Sequence, residues 1–163
     1  MPPCRVILRT PLLIVNLYYT INALTMENLF ERYGSIKNGI QTLTPREAYE
    51  AIKDGALYID LRAAELSAYK IPDIPDIFLL PLALYKEAYH KLPAERYLIL
   101  ADSSGLKSRD VASFLQDRGY DKVSHMAGGF VEWERDGLPI REDINERLTG
   151  ACACQLKPRD RMK

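Results

Sequence analysis

The chain reads as an α/β domain, a five-stranded, mainly parallel sheet with helices on both faces. Three observations predict it. Short apolar runs alternate with stretches of helical periodicity. The runs are apolar almost throughout, as in strands buried on both faces. Two of them end at carboxylates, Asp60 and Asp102, and an open α/β sheet gathers its ligands at the carboxyl ends of its strands.

The elements follow in order. Met26–Gly34 reads as a short helix. Ile40–Thr44 is a short strand that runs into a helix start. There Thr44 is a good N-cap, Pro45 suits the first helical position and Glu47 completes a capping box. The helix stops at Gly55, a residue suited to the left-handed turn after a helix. Ala56–Leu61 is a buried strand, and Ile77–Leu82 is another. Leu84–Leu92 is helical. Arg96–Ala101 is the most apolar strand. From Leu106 to Arg118 the apolar positions fall on one helical stripe, and Gly119 ends it. Lys122–Met126 is the last strand, and Gly129–Asp136 the last helix. Phe130 and Trp133 on that helix read as core residues, and His90 and His125 as surface or core residues with no nucleophile beside them.

Composition narrows the function. Lysine and arginine total 22, aspartate and glutamate also 22, so no net positive field draws the chain to nucleic acid. A hydrophobic content of 47% excludes a mainly disordered chain. The three cysteines are Cys4, Cys152 and Cys154, all near the ends, so no disulfide framework holds the fold. That pattern fits a reducing compartment, and the cytoplasm is the expected location. Residues 1–25 leave the alternative of export or membrane anchoring. Arg5 and Arg9 precede a stretch without charge from Thr10 to Met26. The stretch is shorter than the roughly 20 residues of a spanning helix, and Asn16 and Asn22 interrupt it. Residues 1–25 are therefore read as an extension, whether signal, anchor or product of an upstream start. The domain is placed at residues 26–140 and a tail at 141–163.

Four segments, in order, carry a resemblance. They are "YIDLRAAELSAY" (Tyr58–Tyr69), "IPDIFLLPL" (Ile74–Leu82), "LILADSSGLKSRDVASFLQDRGYDKV" (Leu98–Val123) and "MAGGFVEWERDGLPI" (Met126–Ile140). Together they resemble a rhodanese domain, the thiosulfate sulfurtransferase family, over roughly Gln41–Ile140. The last segment, similar to the family's Gly-Gly-aromatic ending with Trp and Gly-Leu-Pro, is the most specific. The family's active loop reads Cys-x-x-Gly-x-(Arg/Lys)-Ser. Its cysteine thiolate takes a sulfane sulfur from a donor and passes it to an acceptor. Here the loop is Asp102, Ser103, Ser104, Gly105, Leu106, Lys107 and Ser108. The resemblance therefore implies an aspartate at the nucleophile's position. The six residues from Asp102 to Lys107 are the length of the sulfurtransferase loop, shorter than that of the related phosphatases. Pro72-Asp73-Ile74-Pro75 is a second departure, where the family has Gly-His-Ile-Pro.

The loop's physical chemistry is that of an anion cradle. Gly105 permits a tight turn, and the turn with the helix start aims backbone N–H groups at one point. Lys107 is expected to add positive charge, and Ser108 to cap the helix. In the family this cradle stabilises a thiolate. An ionised Asp102 suits it electrostatically but cannot form a persulfide. Asp60 and Arg62 read as a structural pair at a strand end.

These residues support a catalytically inactive binding or regulatory module, its partner a protein or a small anionic or sulfur-containing ligand. The alternative is a sulfurtransferase whose sulfur carrier is Cys152 or Cys154 in the tail. Phosphoaspartate chemistry at Asp102 would need a second carboxylate and Mg²⁺, and "DSSG" offers neither. No cofactor and no metal are expected, since the sequence has no zinc spacing, P-loop or dinucleotide fingerprint.

Overall fold

The structure is a computed structural model and describes residues 28–146. Its central sheet has six strands: β1 (Ser35–Lys37), β2 (Ile40–Leu43), β3 (Leu57–Asp60), β5 (Ile77–Leu79), β6 (Leu98–Ala101) and β7 (Val123–Met126). Their spatial order is β1-β2-β7-β6-β3-β5. The five expected strands pair in parallel, and β1 adds an antiparallel edge as a sixth. The signal for that edge was present. Asn38 and Gly39 both take positive φ, 52° and 77°, in a two-residue connection between β1 and β2, the Asn-Gly hairpin turn. The strand itself is three exposed residues and shows no hydrophobic pattern.

The helices are α1 (Pro45–Lys53), α2 (Ala64–Tyr69), α3 (Tyr85–Ala88), α4 (Lys107–Gln116) and α5 (Gly129–Arg135). The capping box of α1 is formed: the Thr44 hydroxyl accepts from the Glu47 amide at 3.3 Å, and the Glu47 carboxylate accepts from the Thr44 amide at 2.8 Å. Gly55 follows at φ 104°. Within the expected 26–34 helix, the described part is a single 3-10 turn, Leu29–Glu31, capped by the Asn28 side chain. The expected 84–92 helix is α3 followed by a 3-10 turn, Tyr89–Lys91. A second, two-stranded sheet joins β4 (Lys70–Pro72) to β8 (Ile140–Glu142). Arg141 and Glu142, read as the start of a tail, are paired strand residues there. Three-residue strands with one proline carry too little periodicity to be legible.

Two cores lie on the two faces of the sheet. On one, α1 and α5 pack Ala48, Ile52, Phe130 and Trp133 against Tyr58, Ile99 and Met126. On the other, α4 packs Val111, Ala112 and Leu115 against Leu57, Ile59, Leu98 and Leu100. Strands β3, β6 and β7 are buried at every position; β6 and most of β3 read as apolar runs for that reason, while β7 also buries Ser124 and His125.

Trp133 is fully buried. Its ring meets Tyr49 and Tyr58 edge-on, with centroids 5.7 and 6.0 Å away. It therefore packs under the sheet with α1, on the face opposite α4. Its Nε1 donates to the Pro139 carbonyl at 3.0 Å, and the same carbonyl accepts from the Asp73 amide at 3.0 Å. The Gly-Leu-Pro ending thus returns the chain to satisfy the indole and hold the 72–75 turn. Trp133→Ala should lower unfolding free energy by about 3–5 kcal/mol, checked by urea denaturation followed by circular dichroism. A loss near zero would show that α5 is not part of the core.

Candidate functional site

The chain leaves β6 at Ala101, and Asp102 opens the loop that ends at α4. Asp102 is 4% exposed. Its Oδ1 accepts from the Ser108 amide at 3.2 Å. Its Oδ2 accepts from the amides of Ser104 at 3.3 Å and Lys107 at 3.4 Å, and from the Ser104 hydroxyl at 3.3 Å. The cradle is built, and the carboxylate fills it. Of the six loop residues expected to line it, Ser104, Lys107 and Ser108 donate N–H groups to the carboxylate.

The others shape the loop. Gly105 takes φ 79°, and a Cβ there would stand 2.5 Å from the Gly128 nitrogen. Leu106 is 74% exposed at the loop's tip. The Ser103 carbonyl accepts from the Val131 amide at 3.1 Å, and the Asp102 carbonyl from the Phe130 amide at 2.9 Å. These last two bonds tie the loop to the first turn of α5. The contact needs Gly129, because a Cβ there would stand 2.4 Å from the Asp102 carbonyl oxygen. The Gly128-Gly129 pair is thus a second part of the site, visible in the sequence as a motif but without a role until the loop is seen against it.

Two expectations are corrected. The Lys107 ammonium does not enter the cradle. The side chain is 68% exposed and lies 3.9 Å from Asp110, one turn along α4. Its backbone amide is what it contributes. Ser108 does not cap α4 either. It sits inside the helix, and its buried hydroxyl has no hydrogen-bond partner among the described residues. Asp102 caps the helix in its place, taking the amides of its first two residues. Burial pushes the Asp102 pKa up, but the amides of Ser108, Ser104 and Lys107 outweigh it and hold the carboxyl below its ordinary 3.8.

Beside the loop, Asp60 and Arg62 form the structural pair expected. Arg62 donates to Asp60 at 2.6 and 2.9 Å and to the Lys70 carbonyl at 2.9 Å. The Ser67 hydroxyl donates to Asp60 at 2.8 Å, and the guanidinium lies 3.8 Å from the Phe130 ring centroid. Both side chains are buried. They support a cleft of about 550 Å³ in front of Asp102 and Ser103, walled by Leu61, Ala64, Pro81 and Leu84 and flanked by Glu65. His90 lies in the 3-10 turn after α3. His125 is buried on β7, bonded to Thr42 rather than to any nucleophile. Cys152 and Cys154 lie outside the described residues, as does Cys4. Among the described residues no three His, Cys, Asp or Glu side chains cluster as metal ligands, and no helix is long and apolar enough to cross a membrane.

A parallel sheet whose central strand feeds an anion cradle at a helix start defines a class of α/β domain built around one loop. The family model for the rhodanese-like domain matches residues 44–136, and the chain belongs to that family. It is 36% identical over 99 residues to the thiosulfate sulfurtransferase GlpE of Actinobacillus pleuropneumoniae serotype 5b, covering 60% of this chain and 90% of that one. A rhodanese-related protein from Thermoplasma volcanium superposes with a TM-score of 0.56 at 20% identity, covering 63% of this chain and 98% of that one. A thiosulfate sulfurtransferase from Pseudomonas aeruginosa superposes with a TM-score of 0.54 at 23% identity, covering 65% of this chain and 21% of that one.

Two outcomes follow from this geometry. Gly129→Ala should cost about 1–3 kcal/mol from its φ of 58° alone, and the clash with the loop adds to it. Chemical denaturation measures the loss, and faster hydrogen exchange at the Ser104, Lys107 and Ser108 amides would report the loosened cradle. The second concerns acid. Because its folded pKa is depressed, Asp102 stabilises the fold at pH above 3.8, and that contribution is lost as pH falls through the folded value. The stability difference between wild type and Asp102→Asn should therefore be constant from pH 7 to about 5 and shrink below that. A difference that does not change between pH 5 and 2 would show that Asp102 is not held ionised.

Proposed function

We propose that this rhodanese-like chain is a binding or regulatory module, with Asp102 standing where the family carries its nucleophile, and that no sulfur is transferred through its loop. One observation carries the reading: the Asp102 carboxylate itself occupies the amide cradle. A sulfur carrier must present a thiolate there, attack the outer sulfur of the donor and hold it as a persulfide. A carboxylate oxygen cannot form that bond, and its charge opposes an anionic donor. The sequence has no cysteine between residues 28 and 146 that could take over. The GlpE relatives are named thiosulfate sulfurtransferases. What this chain shares with them, on this reading, is the fold and the cradle, put to binding rather than transfer. The apolar cleft beside Asp102 is the place for its ligand, a protein segment or a small anionic or sulfur-containing molecule, met in the cytoplasm.

The test is transfer of sulfur from thiosulfate to cyanide by the full-length chain. Wild type and Asp102→Ala should both show no transfer above the uncatalysed rate. Asp102→Cys should gain it, because the same three amides would lower the thiol pKa. Mass spectrometry should then find one added sulfur on the introduced thiol of that variant and none on Cys4, Cys152 or Cys154. Transfer by wild type that Asp102→Ala abolishes would make the carboxylate catalytic and overturn the reading. Transfer that survives Asp102→Ala but is lost in the Cys152→Ser, Cys154→Ser double variant would move the activity to the tail.

A further inference from the structure

The loop after β6 leaves the middle of the sheet and divides its carboxyl end in two. The cleft on the β3 and β5 side holds Asp102. On the other side, over β1, β2 and β7, lies a second cavity of about 590 Å³. Its floor is made by neighbouring residues of two parallel strands, Thr42 and His125, bonded through Oγ1 and Nε2 at 3.0 Å. Its walls carry Lys37 from β1 and Arg109 from α4. Of the ten ion pairs among the described residues, nine lie away from this cavity, and neither of these cations makes an ion pair or a side-chain hydrogen bond. The one acid on the wall, Asp110, faces Lys107 at 3.9 Å. His125 is only 5% exposed, and its Nδ1 has no hydrogen-bond partner among the described residues.

We infer that this cavity is a second binding site, for a tetrahedral oxyanion such as a sulfate or phosphate group, held between Lys37 and Arg109 over the Thr42–His125 pair. Two unpaired cations from different elements, converging on one concave polar floor, are what an oxyanion needs. Arg109 offers a planar fork of donors that matches two oxygens, and Lys37 a mobile point charge. The cavity has room for the organic part of a monoester beyond the charged group. The imidazole supplies a linked proton. Burial, then Arg109 and, more weakly, Lys37 depress the His125 pKa, against the opposing charge of Asp102. An anion between the two cations cancels the repulsion, so binding favours the protonated ring and strengthens as pH falls towards the His125 value. The Thr42 hydroxyl can accept from the protonated ring's Nε2 while it donates to the Ile40 carbonyl, which it already faces at 3.3 Å. This inference does not rest on the reading of Asp102, which lies across the loop.

Two-dimensional NMR of the full-length protein during a sulfate titration tests it. Sulfate is chosen because it does not titrate between pH 5 and 8. Saturable shifts should appear at Thr42, Arg109 and His125, absent when sodium chloride is added to the same ionic strength, and the His125 pKa should rise in saturating sulfate. R109Q and K37Q change side chains with no partner to lose, so both should fold. Each should weaken sulfate binding by about tenfold, and the double variant should abolish the saturable shifts. Phosphate and phenyl phosphate, titrated in parallel, name the source: tighter binding of phenyl phosphate assigns the site to a monoester, and tighter binding of phosphate to the free ion. Shifts that chloride reproduces, or that persist unchanged in the double variant, would overturn the site, whatever the sulfur-transfer assay of Asp102→Cys shows.

Discussion

The structure turns on a place with no room for a side chain. The backbone of the loop at Asp102, Ser103 and Gly105 lies directly against that of Gly128 and Gly129, where a single Cβ would stand 2.4–2.6 Å from its neighbours. That closeness lets the first amides of α5 reach the Asp102 and Ser103 carbonyls. With those carbonyls held on one side, the amides of Ser104, Lys107 and Ser108 point to the other, at the carboxylate. The same helix then presents Phe130 to the Arg62 guanidinium and Trp133 to the core. One short helix thus fixes the loop, a buried ion pair and one face of the sheet together.

Topology explains why the carboxyl end of the sheet carries two unlike cavities. Strand β6 pairs with β3 on one side and β7 on the other, so its loop stands as a wall between them. On the β3 side the charges of Asp60 and Arg62 cancel at short range, and what remains facing the cleft is mostly apolar. On the β7 side Lys37 and Arg109 line the cavity without an ion-pair partner among the described residues. The loop between them borders both cavities.

Much of this was legible in the sequence. Strands buried on both faces announce themselves as apolar runs, and the Thr44-Pro45-x-Glu47 start of α1 and the turns at Gly55 and Gly119 were readable residue by residue. So was the cradle, because its chemistry is local: a strand end, a glycine at positive φ and a helix start within seven residues. What was illegible depends on partners distant in sequence. Lys107 looks like a cradle charge until helix geometry turns its side chain outward beside Asp110. Ser108 looks like a cap until Asp102, six residues earlier, takes its amide. Thr42 and His125 are 83 positions apart, so only the β2–β7 register makes them neighbours. The β4–β8 pair is likewise set by contact alone. Asn38-Gly39 is the exception, a local hairpin signal that stands alone because the strand before it has no apolar residue facing the core.

The carboxylate in the cradle raises a question of cause. Three backbone N–H groups point at one spot on the edge of the core, and each would cost about 1–3 kcal/mol if left without an acceptor. A thiolate can serve them, and so can water where it has access. An aspartate serves all three with two oxygens from a side chain of the right length, and its charge is favoured at a helix start. Replacing Asp102 by serine would supply one oxygen where two are used, and alanine would supply none. The loop can therefore be held in its shape by stability alone, with no chemistry required of it. In this fold the persistence of an anion cradle is a statement about satisfied amides.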